Sequence, residues 1–303
     1  MLRAAGIVGI ALVLAEVLLR LAALVAPALG GQATEPVPPG AVTILVVGDS
    51  HAAGGGAAPE ESLPAHLERM LTARHPGTTF RVVNRGLSGA NSAWVANRLE
   101  RNIETYDPVL IIVWVGLNDI WNLTETEVWP GGGWNVAVRR MLLHSRLYRL
   151  ATVVWHTGAW EADSGWMLQR QAGLRIGSVP PEDVRRGLNF DLERMARMAF
   201  ARRIPVILMQ YPLPYPVVNR TLWDTARRMG IPLVQTTRDV RRASADGHDR
   251  TEILSFAAGP HPTGLLYRYI AESMLPQVEK DLRAKGVRLV APALGHLRSS
   301  EGR

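Results

Sequence analysis

The chain has 303 residues, 47% hydrophobic and 20% charged, enough for one large packed domain with an appendage and without a long polar tract that would stay disordered. Its formal net charge is +7, almost all from arginine because lysine occurs only at Lys280 and Lys285; with scattered pairs such as Arg139-Arg140, Arg202-Arg203 and Arg227-Arg228 and no dense basic run interleaved with aromatics, nucleic acid is not an expected partner. The absence of cysteine excludes disulfides, a thiolate nucleophile and cysteine-ligated metal.

From Ala4 to Leu29 the chain is apolar except for Glu16 and Arg20. At about 1.5 Å per residue, a helix of that length can cross a hydrocarbon core of about 30 Å. The two charges are four residues apart, so they share one helical face and can pair. Arg3 precedes the stretch, which favours a cytoplasmic N-terminus with the remainder exported. Residues 1–29 are therefore expected to be a transmembrane anchor or a signal segment. Cleavage is the rival to retention, because Ala26-Pro27-Ala28 and Ala28-Leu29-Gly30 are small-residue sites. Residues 30–41 are rich in Gly and Pro and read as a linker.

Strands and helices then alternate over residues 42–285. Thr43–Val47 is a short, nearly all-apolar run, as expected of a parallel strand buried on both faces. Ser62 is placed to cap a helix carrying Leu63, Leu67, Met70 and Leu71, ending near Gly77. Phe80–Val83 reads as the second strand, followed by a helix capped by Ser92 with Val95, Leu99 and Ile103 at four-residue spacing. Val109–Val115 is the third strand. The stretch 120–180 breaks the rhythm with Trp121, Trp129, Trp134, Trp155, Trp160 and Trp166, and reads as an insertion or lid in which tryptophan serves packing or a sugar or lipid platform. Glu182–Arg202 is a long helix with Val184, Leu188, Leu192, Met195 and Ala199 on one stripe. Pro205–Gln210 and Pro232–Gln235 are the fourth and fifth strands, and a last helix after His261 carries Leu266, Ile270, Met274 and Val278. Residues 286–303 read as a tail. This alternation predicts a flavodoxin-like three-layer α/β/α sandwich with a mostly parallel five-stranded sheet, preceded by an N-terminal apolar helix.

Ligands of such sheets bind beyond the carboxyl ends of the strands. Gly48-Asp49-Ser50-His51 follows the first strand, Asn84-Arg85-Gly86 the second, Gly116-Leu117-Asn118-Asp119 the third, and His261 lies well after the fifth. A hydroxyl, a glycine backbone, an amide and an imidazole on one sheet edge are the parts acyl transfer needs: nucleophile, oxyanion donors and base. His51 reads as structural or substrate-lining, because adjacent residues rarely face each other. The run Asp246-Gly247-His248-Asp249 has metal-binding residue types but no partner pair, so no metal is expected. No G-x-x-x-x-G-K-[ST] is present and Gly54-Gly55-Gly56 does not continue as G-x-G-x-x-G, so no nucleotide cofactor is expected.

These four blocks, in order and approximate spacing, resemble the SGNH (GDSL-type) serine hydrolase superfamily: GDSHAAG from Gly48, NRG from Asn84, GLND from Gly116 and HPTG from His261, within a match from Val42 to about Glu279. The resemblance implies that Ser50 is the nucleophile and His261 the general base, with Ser50, Gly86 and Asn118 forming the oxyanion hole and Asp49 and Asp119 in support. It departs from the family where an aspartate usually stands three residues before the histidine; here that residue is Ala258. Losing the orienting carboxylate of a serine-protease triad costs on the order of 10⁴ in rate. A backbone carbonyl, or a carboxylate from Asp246, Asp249 or Glu252, is the expected substitute; an inactive site is the third outcome. The implied activity is a membrane-tethered esterase or deacetylase acting on O-acyl esters of polysaccharide or lipid, on the periplasmic side of a bacterial cell membrane or secreted after cleavage. A polysaccharide O-acyltransferase and a non-catalytic carbohydrate-binding module are the alternatives.

Overall fold

The structure is a computed structural model that describes residues 36–128, 179–257 and 259–289, with parts of the N-terminal segment (7 and 10–22) and of the insertion (138, 141–142, 144–148 and 150–151). The expectations for the cleavage sites, for Trp129, Trp134, Trp155, Trp160 and Trp166, for Ala258 and for the end of the tail fall outside the described residues.

Five parallel strands form the sheet: β1 (Val42–Gly48), β2 (Phe80–Gly86), β3 (Leu110–Trp114), β4 (Val206–Met209) and β5 (Leu233–Val234), in the order β2-β1-β3-β4-β5. The apolar runs follow from that placement. Ile44, Leu45, Val46 and the whole of β3 are buried, because a central parallel strand is covered on both faces. The fifth strand is shorter than its sequence suggests; only Leu233 and Val234 pair, beside Leu208 and Met209 at the sheet edge.

The helices are α1 (Ser50–Ala53), α2 (Leu63–Arg74), α3 (Ser92–Tyr106), α4 (Pro181–Ala201), α5 (Pro216–Met229), α6 (Thr236–Ala245), α7 (Arg250–Ile253) and α8 (Gly264–Ala284). The chain leaves β1 toward β2 on one side, then crosses back to β3, β4 and β5 on the other. Right-handed crossovers put helices of the two directions on opposite faces. In accord, α2, α8 and α6 pack as one layer, and α3, α4 and α5 as another. The apolar stripes expected on α3, α4 and α8 are the buried ones. The direction of winding reverses between neighbouring strands β1 and β3, so the crevice for a ligand opens at their carboxyl ends. A two-stranded antiparallel ribbon, β6 (Leu254–Ser255) with β7 (His261–Pro262), lies before α8.

Two capping expectations are corrected. Asn91 caps α3, its side chain accepting from Trp94 N–H at 2.9 Å, and Ser92 turns inward instead. Ser62 stands at the start of α2, but its hydroxyl donates to the Pro59 carbonyl at 2.7 Å. Among the described residues no helix is long and apolar enough to cross a membrane.

Gly86, at the end of β2, abuts α1. A Cβ there would overlap Ala53 N and lie 2.6 Å from the Ala52 carbonyl carbon. Both neighbours are backbone and cannot swing away. Gly86→Ala is therefore expected to lower stability by about 3 kcal/mol, the upper range for overpacking, seen as a reduced urea midpoint; an unchanged midpoint would mean that α1 and β2 separate easily.

Candidate active site

The turn that carries Ser50 follows from crowding at the end of β1. Gly48 lies between Gly86 of β2 and Trp114 of β3, where a Cβ would overlap the Trp114 carbonyl. Asp49 N–H donates to that carbonyl at 3.0 Å. Asp49 then caps α1, its Oδ1 accepting from His51 N–H at 2.9 Å, and Ser50 is the first helical residue. This turn brings the Ser50 hydroxyl to the carboxyl edge of the sheet.

His261 reaches it from the β6–β7 ribbon. Its Nε2 lies 2.7 Å from Ser50 Oγ, and its Nδ1 lies 2.9 Å from the Gly259 carbonyl oxygen. A carbonyl can only accept, so Nδ1 carries the proton and Nε2 is left as the acceptor for the Ser50 hydroxyl. His261 is 8% exposed. Burial, and then the nearby His51 ring, lower its pKa to about 4, against the opposing pull of the Gly259 carbonyl and Asp49. Gly55 and Gly56 form a bed for this ring: a Cβ at Gly55 would lie 2.8 Å from His261 Cδ2, and one at Gly56 2.8 Å from His261 Cβ. The run Gly54-Gly55-Gly56, read from the sequence only as a failed phosphate loop, thus makes room for the imidazole.

None of the acidic residues expected to orient His261 does so. Asp249 caps α7, accepting from Thr251 N–H at 2.7 Å and Glu252 N–H at 2.9 Å, while Glu252 accepts from Asp249 N–H at 2.9 Å. Asp246 accepts from the Tyr269 hydroxyl at 2.7 Å. Asp249 and Glu252 are engaged with each other's backbone at the start of α7, and Asp246 with a tyrosine of α8. The chain path itself presents a carbonyl in their place.

Asp49 is fully buried, and its second oxygen accepts a short hydrogen bond from the Tyr211 hydroxyl. That hydroxyl also accepts from Leu117 N–H at 3.0 Å. Burial and Asp49 hold the Tyr211 phenol well above its usual range, so it stays a donor. Tyr211 therefore ties the Ser50 turn to the loop that carries Asn118. From α8, the Tyr267 hydroxyl reaches the carbonyls of His51 and Gly55, at 2.9 and 3.0 Å. Neither tyrosine has a sequence signal beyond an aromatic near a strand end or on a helix stripe. His51 is only 1% exposed and packs between Trp114, Tyr211 and His261, its ring centroid 4.7 Å from that of His261. It is a packing residue under the site rather than a lining one.

Asn118 is held by both ends of its amide. Oδ1 accepts from the Trp121 indole at 3.2 Å, and Nδ2 donates to the Ala90 carbonyl at 2.9 Å. One amide hydrogen remains. Asp119 is buried and accepts from Ser92 N–H at 3.0 Å and, in a short bond, from the Ser92 hydroxyl. The expectation for Gly86 needs correction. Its N–H donates to Asn84 Oδ1 at 3.0 Å, and the absence of a side chain is explained by its packing on α1. The next glycine, Gly89, has φ +78 with nothing within 4 Å of a Cβ position, and its carbonyl accepts from Asn122 Nδ2 at 2.8 Å. Among the described residues its N–H has no hydrogen-bond partner.

Removing the Tyr211 hydroxyl would leave Asp49 Oδ2 and Leu117 N–H unpaired in a dry interior, at about 1–3 kcal/mol for each stranded group. Tyr211→Phe is expected to lower both the thermal midpoint and kcat; a variant matching the wild type in both would show that the two loops are held by packing alone.

A search of curated sequences returned no match. Among solved structures, TesA is 21% identical, with 79% of this chain and 99% of TesA covered and a TM-score of 0.49. Axe2, an acetylxylan esterase from Geobacillus stearothermophilus, is 16% identical over 82% and 95% of the two chains, TM-score 0.48. A family 3 carbohydrate esterase from Clostridium thermocellum is 16% identical over 80% and 98%, TM-score 0.47. The sequence model of the GDSL-like lipase/acylhydrolase family matches residues 46–269, a span that runs from β1 through the Ser50 turn and the Asn118 loop to His261 and into α8. The chain belongs to the GDSL-like lipase/acylhydrolase family and is a hydrolase of ester bonds.

Proposed function

We propose that this protein is an exported, membrane-tethered serine esterase that removes O-acyl groups from a polysaccharide or lipid by a Ser50–His261 dyad. The observation that carries the reading is the 2.7 Å contact between Ser50 Oγ and a His261 Nε2 that Gly259 leaves unprotonated.

Ser50 Oγ attacks the ester carbonyl carbon as Nε2 takes its proton. The oxyanion accepts from Ser50 N–H, which has no protein partner among the described residues, from the spare Asn118 amide hydrogen, and from the β2–α3 loop, with Gly89 N–H as the donor there. The imidazolium returns its proton to the leaving alcohol. A water then repeats the sequence on the acyl-enzyme and frees the acid. The Gly259 carbonyl supplies the correct tautomer, the function whose loss dominates the defect when a triad carboxylate is replaced by an amide. Asp49 adds a negative charge that favours the imidazolium.

The tether rests on a different observation. The helix over residues 10–22 exposes Ile10, Val13 and Leu18 to more than 60% each. Its two charges are satisfied internally. Arg20 Nε donates to Glu16 at 2.8 Å, and Arg20 Nη2 to the His144 carbonyl at 2.9 Å. Glu16 also accepts from Ser145 Oγ, Arg146 N–H and Leu147 N–H, at 2.9, 3.0 and 2.9 Å. Groups that would oppose immersion in lipid are thereby paired, as an apolar surrounding demands. Met141 and Leu150, flanking residues 144–147 in the chain, are exposed as well.

Ser50→Ala is expected to reduce p-nitrophenyl acetate turnover by at least about 10⁴-fold with an unchanged urea midpoint; retained turnover refutes the dyad. Adding a sugar acceptor distinguishes hydrolysis from transfer, since only hydrolysis releases free acid in full yield. Because the base must be neutral, and His261 titrates at about 4, kcat/KM should hold through pH 5 and fall only below about pH 4. An acid limb near the ordinary histidine value of about 6.5 would contradict this.

A further inference from the structure

Behind Asn118 lies a buried group that the esterase steps do not use. The Ser92 hydroxyl, at the start of α3, touches two carboxyl groups: Asp119 Oδ1 in a short hydrogen bond, and Asp191 Oδ2 of α4 at 2.8 Å. Both aspartates and Ser92 are buried. A hydroxyl has one hydrogen, so it can donate to one carboxyl only. The second contact needs a hydrogen from the other partner. Two ionised carboxylates facing one hydroxyl in a dry interior would leave a lone-pair repulsion and two unscreened like charges.

The donor count locates the extra hydrogen. Asp119 Oδ2 already accepts from Ser92 N–H. Asp191 Oδ1 is buried with no partner, which an ionised carboxylate would tolerate poorly. The chain of hydrogens thus runs from Asp191 Oδ2–H to Ser92 Oγ, and from Ser92 Oγ–H to Asp119 Oδ1. Burial pushes both groups up, Asp119 to about 7 and Asp191 to about 6, and a pair this close titrates as one unit. The other charges facing them are Asp49 beside Asp119, and Arg194 and Glu127 beside Asp191. Arg194 pairs with Glu127 at 2.8 Å.

We infer that Asp119 and Asp191 share one proton through the Ser92 hydroxyl, and that this proton holds the Asn118 loop in place, making Asp191 a positioning residue for the oxyanion site. The second half rests on the esterase reading; the first does not. When the shared proton leaves to solvent, the Asp191–Ser92 bond is lost, two anions face each other across Ser92, and the loop that carries Asn118-Asp119 keeps its Ser92 contacts to α3 but loses its link to α4. Oxyanion stabilisation falls while ester binding elsewhere is little affected, so the defect appears in kcat.

Asp191→Asn tests this, because its amide donates to Ser92 in place of the carboxylic acid yet never ionises. Wild-type kcat on p-nitrophenyl acetate should decline above about pH 7, by up to about tenfold per pH unit with little change in KM. Asp191→Asn should extend the plateau beyond pH 8, whereas Asp191→Leu should lose kcat at every pH. Stability gives an arm independent of activity. A carboxyl that holds its proton more tightly when folded contributes stability below its unfolded value of about 4, and that contribution is lost as pH rises to the folded value. The wild-type urea midpoint should therefore decline between about pH 4 and about pH 7 more steeply than that of Asp191→Asn. An alkaline limb identical in wild type and Asp191→Asn, or one carried by KM, overturns the positioning role. Should Asp191→Asn fail to fold, difference infrared spectra of otherwise wild-type protein between pH 5 and pH 9 decide the point. They would be recorded with Asp239→Asn, since burial also raises Asp239, to about 6. A protonated carboxylic acid band that disappears at the higher pH supports the shared proton, and its absence overturns it. If Ser50→Ala keeps its turnover, the esterase reading fails while the midpoints and the band still report on the proton.

Discussion

The site depends on a shortage of space at Gly48. At the end of β1 the backbones of β2 and β3 approach so closely that no Cβ fits beside the Trp114 carbonyl. The strand ends there and turns directly into α1, and Asp49 is drawn inward to cap it. That turn positions Ser50. The Ser50 hydroxyl emerges at the reversal of winding between β1 and β3, where a parallel sheet leaves a crevice for ligand. A buried Asp49 also needs partners, and the Tyr211 hydroxyl meets that need while holding Leu117, one residue from Asn118.

Two kinds of polar order surround this turn. One is local: Asn118 is clamped between Trp121 and Ala90, and His261 sits on glycines. The other spans the layers, with Tyr267 from α8, Ser92 from α3 and Asp191 from α4 each reaching toward the sheet edge. Buried polar groups joined this way are costly to break singly, because each deletion strands its partner. The carboxyl edge is accordingly held by side-chain hydrogen bonds, and the body of the sheet by its backbone ladder and apolar packing.

Much of this was legible in the residue order, for identifiable reasons. Central strands buried on both faces must be apolar runs, so β1 and β3 announce themselves; β5, an edge strand pairing through two residues, extends less far than its composition suggests. Ser50, Asn118 and His261 were accessible because they follow strands or stand in short blocks. Gly86 was visible as a position needing no side chain, but the reason, contact with Ala52 and Ala53, depends on how α1 lies across β2. Sequence proximity suggested Asp246, Asp249 and Glu252 for His261, yet hydrogen bonds at the start of α7 claim Asp249 and Glu252, and the Tyr269 hydroxyl claims Asp246. Tyr211 reaches Asp49 across 162 residues of chain and Asp191 reaches Ser92 across 99, where no periodicity points.

The Gly259 carbonyl has an evolutionary consequence. An acidic side chain that steers an imidazole is lost by one codon change, whereas a main-chain oxygen accompanies every amino acid. The steering of His261 is encoded in the route of the polypeptide, at a residue whose φ of +93 favours glycine. Genetic fragility consequently shifts from charge to conformation. Screening relatives for a missing third acid would discard as decayed any homologue that keeps this bend.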